Sequence, residues 1–262
     1  MRSMDIAATG MLAQQLNVEV ISNNIANLNT TGFKRQRAEF QDLLYQNQRR
    51  PGAASSDQGT IVPVGVQVGI GVKAAAVYRI TEQGNLLKPD NTLDVAIQGK
   101  GFFQIKQPDG TTAYTRAGSF QMSNTGEIVT ADGLVVNPGL TIPADTIQVS
   151  VNASGQVLAQ ISGQTQTQTV GQLELATFPN EAGLLNIGNN LLVETAASGS
   201  PVQGAPASIG FGSLQQGFLE TSNVNVVSEI TNLITAQRAY EMNSKVIQAA
   251  DQMSSTITNL RQ

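Results

Sequence analysis

The hydrophobic positions at the two ends of the chain repeat with a helical period. Met4, Met11, Val18 and Ile25 recur every seven residues, with Ala7, Gln14, Ile21 and Leu28 at the alternate heptad positions, which predicts an amphipathic helix carrying a seam for a partner. Ser3 is placed to cap its start. Thr30-Thr31-Gly32 is placed to end it, Gly32 suiting the left-handed position that follows a helix. Gly10, inside the run, costs about 1 kcal/mol relative to alanine, so a close backbone contact with another helix is expected there, the alternative being a helix that is simply weak. From Asn223 to Gln262 neither proline nor glycine interrupts a second, longer run. Asn225 is its expected cap, and Glu229 lies in the first turn against the positive end of the helix dipole. Its apolar residues form two stripes: Val226, Ile230, Leu233, Tyr240 and Ile247 on one face, and Ala239, Met242, Val246, Ala249, Met253, Ile257 and Leu260 on another. A helix with two apolar faces needs more than one neighbour. Pairing the two ends as an antiparallel coiled coil supplies one, and makes the intervening chain leave and return at one end of a rod.

Between the ends the pattern shortens. Lys34 to Gln48, with Phe40, Leu43 and Leu44 as its apolar part, fits helix and extended chain equally. Arg49 to Gly59 is rich in Pro, Gly, Ser and Ala and reads as an exposed loop. Val64, Val66, Val68, Ile70 and Val72 then alternate strictly, as in a strand. From about Leu86 to Leu219, turn signals recur at Pro108-Asp109-Gly110, Asn124-Thr125-Gly126, Asp132-Gly133, Asn137-Pro138-Gly139, Ser154-Gly155 and Ser162-Gly163. Segments such as Phe102 to Lys106, Thr112 to Arg116, Ile147 to Val151 and Val157 to Ile161 lie between them, which is the layout of an all-β domain. The expected fold is therefore α+β: residues 1–31 an N-terminal helix, 32–72 a connecting segment with an exposed loop and a strand, 73–222 an all-β outer domain, and 223–262 a C-terminal helix paired with the first.

Composition narrows the chemistry. The 262 residues carry a net charge of −4 and no cysteine, histidine or tryptophan, which removes thiolate catalysis, disulfides, histidine-based triads and Cys/His metal sites. The acidic balance argues against a nucleic-acid surface, and the basic clusters Lys34-Arg35-Gln36-Arg37 and Arg49-Arg50 read as solvated or interface positions. Gly69-Ile70-Gly71-Val72-Lys73-Ala74 matches a dinucleotide-binding fingerprint in letters only, because strand alternation runs straight through its glycines. Carboxylates are scattered through the β region with no spacing that favours an acid–base pair. No enzyme, cofactor or metal is expected. No run approaches the roughly 18 apolar residues of a membrane span. The N-terminal stretch, with Arg2 and Asp5, lacks the apolar block of a secretory signal, so any export is expected by another route.

Three blocks of residues resemble a known family. Ser22-Asn23-Asn24-Ile25-Ala26-Asn27-Leu28-Asn29-Thr30-Thr31-Gly32-Phe33-Lys34 looks like the N-terminal signature of the flagellar rod and hook axial proteins. Asp94-Val95-Ala96-Ile97-Gln98-Gly99-Lys100-Gly101-Phe102-Phe103 is similar to their central block. Glu220-Thr221-Ser222-Asn223-Val224-Asn225, followed by Ala236-Gln237-Arg238-Ala239-Tyr240-Glu241, is similar to their C-terminal block. The stretch containing Gln46, Arg50, Pro51, Gly52, Pro63 and Gly65 looks most like the distal-rod branch, with the proximal rod and the hook as the nearest alternatives. The resemblance implies a self-assembling structural subunit of a hollow, rigid drive shaft. Its partners would be further copies of itself, proximal rod proteins, the hook protein, P- and L-ring proteins as bushing, and the flagellar type III export apparatus. It would reside in the basal body, spanning periplasm to outer membrane, without a cleaved secretory signal and without nucleic acid or a small-molecule substrate. The terminal helices would form the inner tube and the β domain would face outward. Residues 46–72, which join the helices to the β domain, are placed to brace adjacent subunits, the alternative being a passive linker. Outside the family, the same elements fit a secreted β-domain adhesin or binding module on a coiled-coil stalk.

Overall fold

A computed structural model describes residues 2–51, 64–89, 91–163 and 166–259. Contacts divide the chain into two units, one of residues 1–25, 36–78 and 225–262, the other of residues 26–35 and 79–224.

In the first unit, helix α1 spans Arg2–Ala26 and helix α2 spans Val226–Asn259. The expected cap of α2 is present: the Ser228 N–H donates to Asn225 Oδ1 at 3.2 Å, satisfying one of the donors a helix start leaves free. Strands β1 (Gln36–Asp42), β2 (Tyr45–Arg49), β3 (Val66–Gly69) and β4 (Val72–Arg79) lie between the helices in sequence, with β1 paired to β4 and β2 antiparallel to β3. Residues 36–49 are thus extended, apart from the link at Leu43 and Leu44. The start is fixed from outside the segment: Asn24 holds both backbone groups of Gln36, accepting from its N–H at 2.8 Å and donating to its carbonyl at 2.9 Å. The alternation from Val64 to Val72 yields two strands instead of one. Gly71 breaks the run with φ 139°, a region open to glycine, and a Cβ there would collide with Thr9, whose Oγ1 accepts from the Val72 N–H at 3.3 Å.

In the second unit, the chain runs through β5 (Leu86–Leu87), β6 (Val95–Gln98), β7 (Phe102–Lys106), β8 (Thr112–Thr115), β9 (Gln121–Met122), β10 (Ile128–Val129) and β11 (Val135–Val136). It continues through β12 (Thr146–Val151), β13 (Gln156–Ile161), β14 (Gln168–Gln172), β15 (Leu175–Thr177), β16 (Leu185–Gly188), β17 (Leu191–Val193), β18 (Val202–Gly204), β19 (Ser213–Gln216) and β20 (Leu219–Glu220). The main sheet runs β16-β17-β8-β7-β11-β10-β9, with β15 joining β7 and β18; β12-β13-β14 form a second sheet, and β6 pairs β19 as β5 pairs β20. Strand β7 is the hub. It pairs β8 along one edge, and on the other meets β15 through Phe102 and Phe103, then β11 through Ile105 and Lys106.

Alternation along β7 sends its neighbours to opposite faces. Phe103 and Ile105 enter the larger core with Ile97, Phe120, Val157 and Leu175, and the Phe103 and Phe120 rings meet edge to face at 5.0 Å. Phe102 enters a smaller cluster with Tyr114, Phe178, Leu184 and Leu192. Burying each such side chain stabilises the fold by about 1.5–3 kcal/mol. The glycines of the turns singled out in the sequence, Gly110, Gly126, Gly133, Gly139, Gly155 and Gly163, all lie at φ 80–85°, so local turn chemistry sets the layout of this unit.

Candidate assembly surface

Within the first unit, two contacts between the helices are seen among the described residues. Asn24 on α1 donates through Nδ2 to Glu229 Oε2 on α2 at 3.3 Å, and both residues are buried. A Cβ added at Gly10 would lie 2.8 Å from Nδ2 of Asn243, so the close approach at this glycine is made by a side chain of α2 and not, as expected, by backbone. From Gly10 to Asn24 on one helix, and from Asn243 back to Glu229 on the other, the spacing is the same two heptads. The helices therefore run antiparallel between these contacts. On α2, Glu229, Leu233, Ala236, Asn243, Ile247 and Ala250 are buried or half-buried. They recur at alternating steps of four and three with Tyr240, and so mark one seam. On α1 the same steps give Ile6, Gly10, Ala13, Asn17, Val20 and Asn24, again buried or half-buried. This seam mixes small and polar residues with Ile6, Val20, Leu233 and Ile247.

Apart from Leu233 and Ile247, the strongly apolar residues of α2 lie away from it. Val227 is 77% exposed, Met242 61%, Met253 58%, Val246 47%, Ile234 46% and Ile230 45%. Among the assembly residues expected from sequence, Ile21 is buried, and Met4, Met11, Val18, Ile25, Leu28, Leu233 and Ile247 are half-buried. Val226, Ile230, Tyr240, Met242, Val246 and Met253 are exposed. The Ile257 side chain and Leu260 lie outside the described residues. In the expected stiffening segment, Gln46, Arg50 and Pro51 are exposed and Gly65 is half-buried, while Gly52 and Pro63 fall outside the described residues. Gly65 packs so tightly on Arg49 and Pro51 that a Cβ would strike the Arg49 carbonyl. Sequence periodicity missed Asn24, Asn243 and the clasping role of Glu229. The signal present was the run of amides from Asn23 to Asn29.

A second cluster, within the second unit, ties the N-terminal turn to the end of the β region. Glu220, its side chain fully buried, accepts from Arg116 Nε at 2.6 Å, Lys34 Nζ at 2.6 Å and the Gly84 N–H at 2.9 Å. Arg116 also donates to the carbonyls of Gly101 at 2.6 Å and Gly99 at 2.5 Å, and the Gly32 N–H donates to the Glu220 carbonyl at 2.8 Å. Burial works against the charged form of Glu220. The charges of Arg116 and Lys34 and their hydrogen bonds nevertheless hold its carboxyl below the usual carboxylate range. Lys34 is also pushed down, by burial first, against the attraction of Glu220. Asn223 fastens the same corner: it accepts from the Arg35 N–H at 2.7 Å and donates to the carbonyls of Ile80 at 2.9 Å and Glu82 at 3.0 Å.

These polar side chains hold backbone and one another in place. Among the described residues no group of three or more His, Cys, Asp or Glu could hold a metal ion, and no helix is long and apolar enough to cross a membrane. The arrangement, side chains spent on internal clasps and an apolar helix face left uncovered, is that of a structural subunit.

Comparison with known proteins carries this to a family. Residues 4–34 match the model for flagella basal body rod proteins, residues 96–159 that for the D1 domain of the flagellar hook proteins FlgE/F/G, and residues 215–260 that for the C-terminal region of the basal body rod FlgEFG proteins. The flagellar basal-body rod protein FlgG of Caulobacter vibrioides is 61% identical over 100% of both chains, and that of Agrobacterium fabrum 53% over 98% of both. FlgG of Bacillus subtilis is 39% identical over 100% of this chain and 99% of its own. The chain belongs to the FlgG family of flagellar basal-body rod proteins. It is a structural subunit of the flagellar rod, resides in the basal body and assembles with other rod and hook components.

Proposed function

We propose that this chain polymerises helically into the hollow, rigid distal part of the rod, transmitting torque from motor to hook and enclosing the export channel. In this reading α1 and α2 pair as an antiparallel coiled coil, and the outer face of α2 is covered by neighbouring copies in the inner tube. The observation that carries it is the exposure of Met242, Val246 and Met253 on a helix whose other side is already occupied. An apolar stripe of this length left in water is an interaction site. Partners beyond further copies are the proximal rod and hook proteins at the two ends of the shaft, the P- and L-ring proteins around it as it spans periplasm to outer membrane, and the type III apparatus that exports the subunits.

Negative-stain microscopy of concentrated full-length protein beside a variant lacking residues 223–262 tests this reading. Hollow straight rods from the first and monomers alone from the second are expected. Rods from the truncated chain would overturn the role of α2.

The paired strands β2 and β3, exposed at every residue but Gly69, are read as a brace between neighbouring subunits that suppresses the sliding a bendable shaft needs. Deleting residues 46–63 is expected to leave a polymer that forms and curves more easily. A straight, stiff polymer from that variant would remove the brace.

A further inference from the structure

We propose that two polar notches, Asn24 with Glu229 and Gly10 with Asn243, set the register of the terminal helices, so that these four are positioning residues for assembly. The inference rests on the coiled-coil reading above. The two contacts share one register, which places Ile6 opposite Ile247, Ala13 opposite Tyr240, Asn17 opposite Ala236 and Val20 opposite Leu233. Large residues then face small ones in the middle layers, as close packing requires.

Apolar content alone does not select this alignment. A slip of one heptad, about 10.5 Å along the axis, is also filled by hydrophobic pairs. In one direction Ala13 meets Leu233 and Val20 meets Val226; in the other Ala13 meets Ile247 and Val20 meets Tyr240. The notches separate the three. Slipping the first way moves Asn243 out of the gap left by Gly10 and puts Ala236 there, leaving a void. It also takes Glu229 from Asn24, whose amide is held by the Gln36 backbone. Slipping the second way carries Glu229 past the end of α1, which stops at Ala26. Buried polar residues at seam positions are a recognised way of fixing register. Because Asn24 also grips Gln36, the same residue ties helix register to the start of β1. Neighbouring copies thereby receive the outer face of α2 at one height.

The chain has no cysteine, so introduced pairs report register cleanly. In the assembled full-length protein, Ala13→Cys is combined with Tyr240→Cys for the proposed register, or with Leu233→Cys or Ile247→Cys for the two slips. Intramolecular disulfide after mild oxidation is read as a fast-migrating monomer on a denaturing gel. The Tyr240 pair is expected to close at least tenfold more than either slip pair. Adding Glu229→Leu with Asn243→Leu is expected to raise closure of a slip pair severalfold, whereas Glu229→Gln, which still accepts from Asn24, keeps the parental pattern. Closure confined to the Tyr240 pair with both leucines present would overturn the notches while leaving the coiled coil standing. Closure of none of the three pairs in the parent would overturn the coiled coil itself, and the register with it.

Discussion

The two units use their hydrophobic residues in opposite ways. In the second, Phe103, Ile105, Ile97 and Leu175 are fully enclosed by the chain itself, and glycine turns bring short strands back onto one another. In the first, the longest helix turns Glu229, Leu233, Ala236, Asn243 and Ile247 toward its own chain and presents methionine and branched aliphatics to solvent. In the rod proposed above, the helices of the first unit are completed by neighbouring copies. Isolated helices are marginal in water, so the helices are expected to order on assembly.

The contrast can be broken from either side. Phe103→Ala removes a ring from the closed core and should destabilise the second unit by about 3–5 kcal/mol, read as a fall in its denaturation midpoint; a loss below about 1 kcal/mol would mean that the core is not what holds this unit. Glu220→Gln should cost on the order of 3 kcal/mol, because Arg116 and Lys34 then share a neutral partner in a buried site. The pH dependence follows from the sign of the shift. The folded-state pKa of Glu220 lies below the ordinary 4.5, so its contribution is complete above that value and is lost as pH falls through the lower, folded value. Lys34 acts in the opposite sense: with its pKa depressed below 10.5, it costs stability at neutral pH, and that cost is relieved as pH rises through the depressed value. Denaturant midpoints from pH 7 down to pH 3 should fall for the parent and flatten for Glu220→Gln; parallel curves would show that another carboxylate governs acid unfolding. Smallest in the monomer is Met242→Ala, below about 0.5 kcal/mol for an exposed side chain, yet it should raise the concentration needed for polymerisation several-fold. A large monomer effect with unchanged polymerisation would place Met242 in an intramolecular core.

Much of this was legible from residues alone. The Asn225 cap, the turn glycines and strands such as Phe102–Lys106 are local matters of period, capping and φ, and they stand where the pattern puts them; α1 instead stops at Ala26, short of the end expected at Thr30-Thr31-Gly32, and Ser3, the expected cap, lies inside it. Residues 34–48 were not legible, because their few apolar positions suit either period and the decision comes from Asn24, distant in sequence from most of the segment. Periodicity in α2 marked which residues are apolar. It did not mark which neighbour covers them, and the side facing α1 turned out to carry Glu229, Ala236 and Asn243. The Lys34–Glu220–Arg116 cluster was invisible for a similar reason: its charges are far apart along the chain, and each alone reads as a solvated residue.

The most direct test of incomplete helices beside a complete β unit is amide hydrogen exchange on monomer and polymer. The account predicts that Phe102–Lys106 is protected in both states, whereas Met11 to Ile25 and the length of α2 exchange freely in the monomer and become protected only in the polymer. Protection of Met11 to Ile25 in the monomer equal to that of Phe102–Lys106 would contradict it.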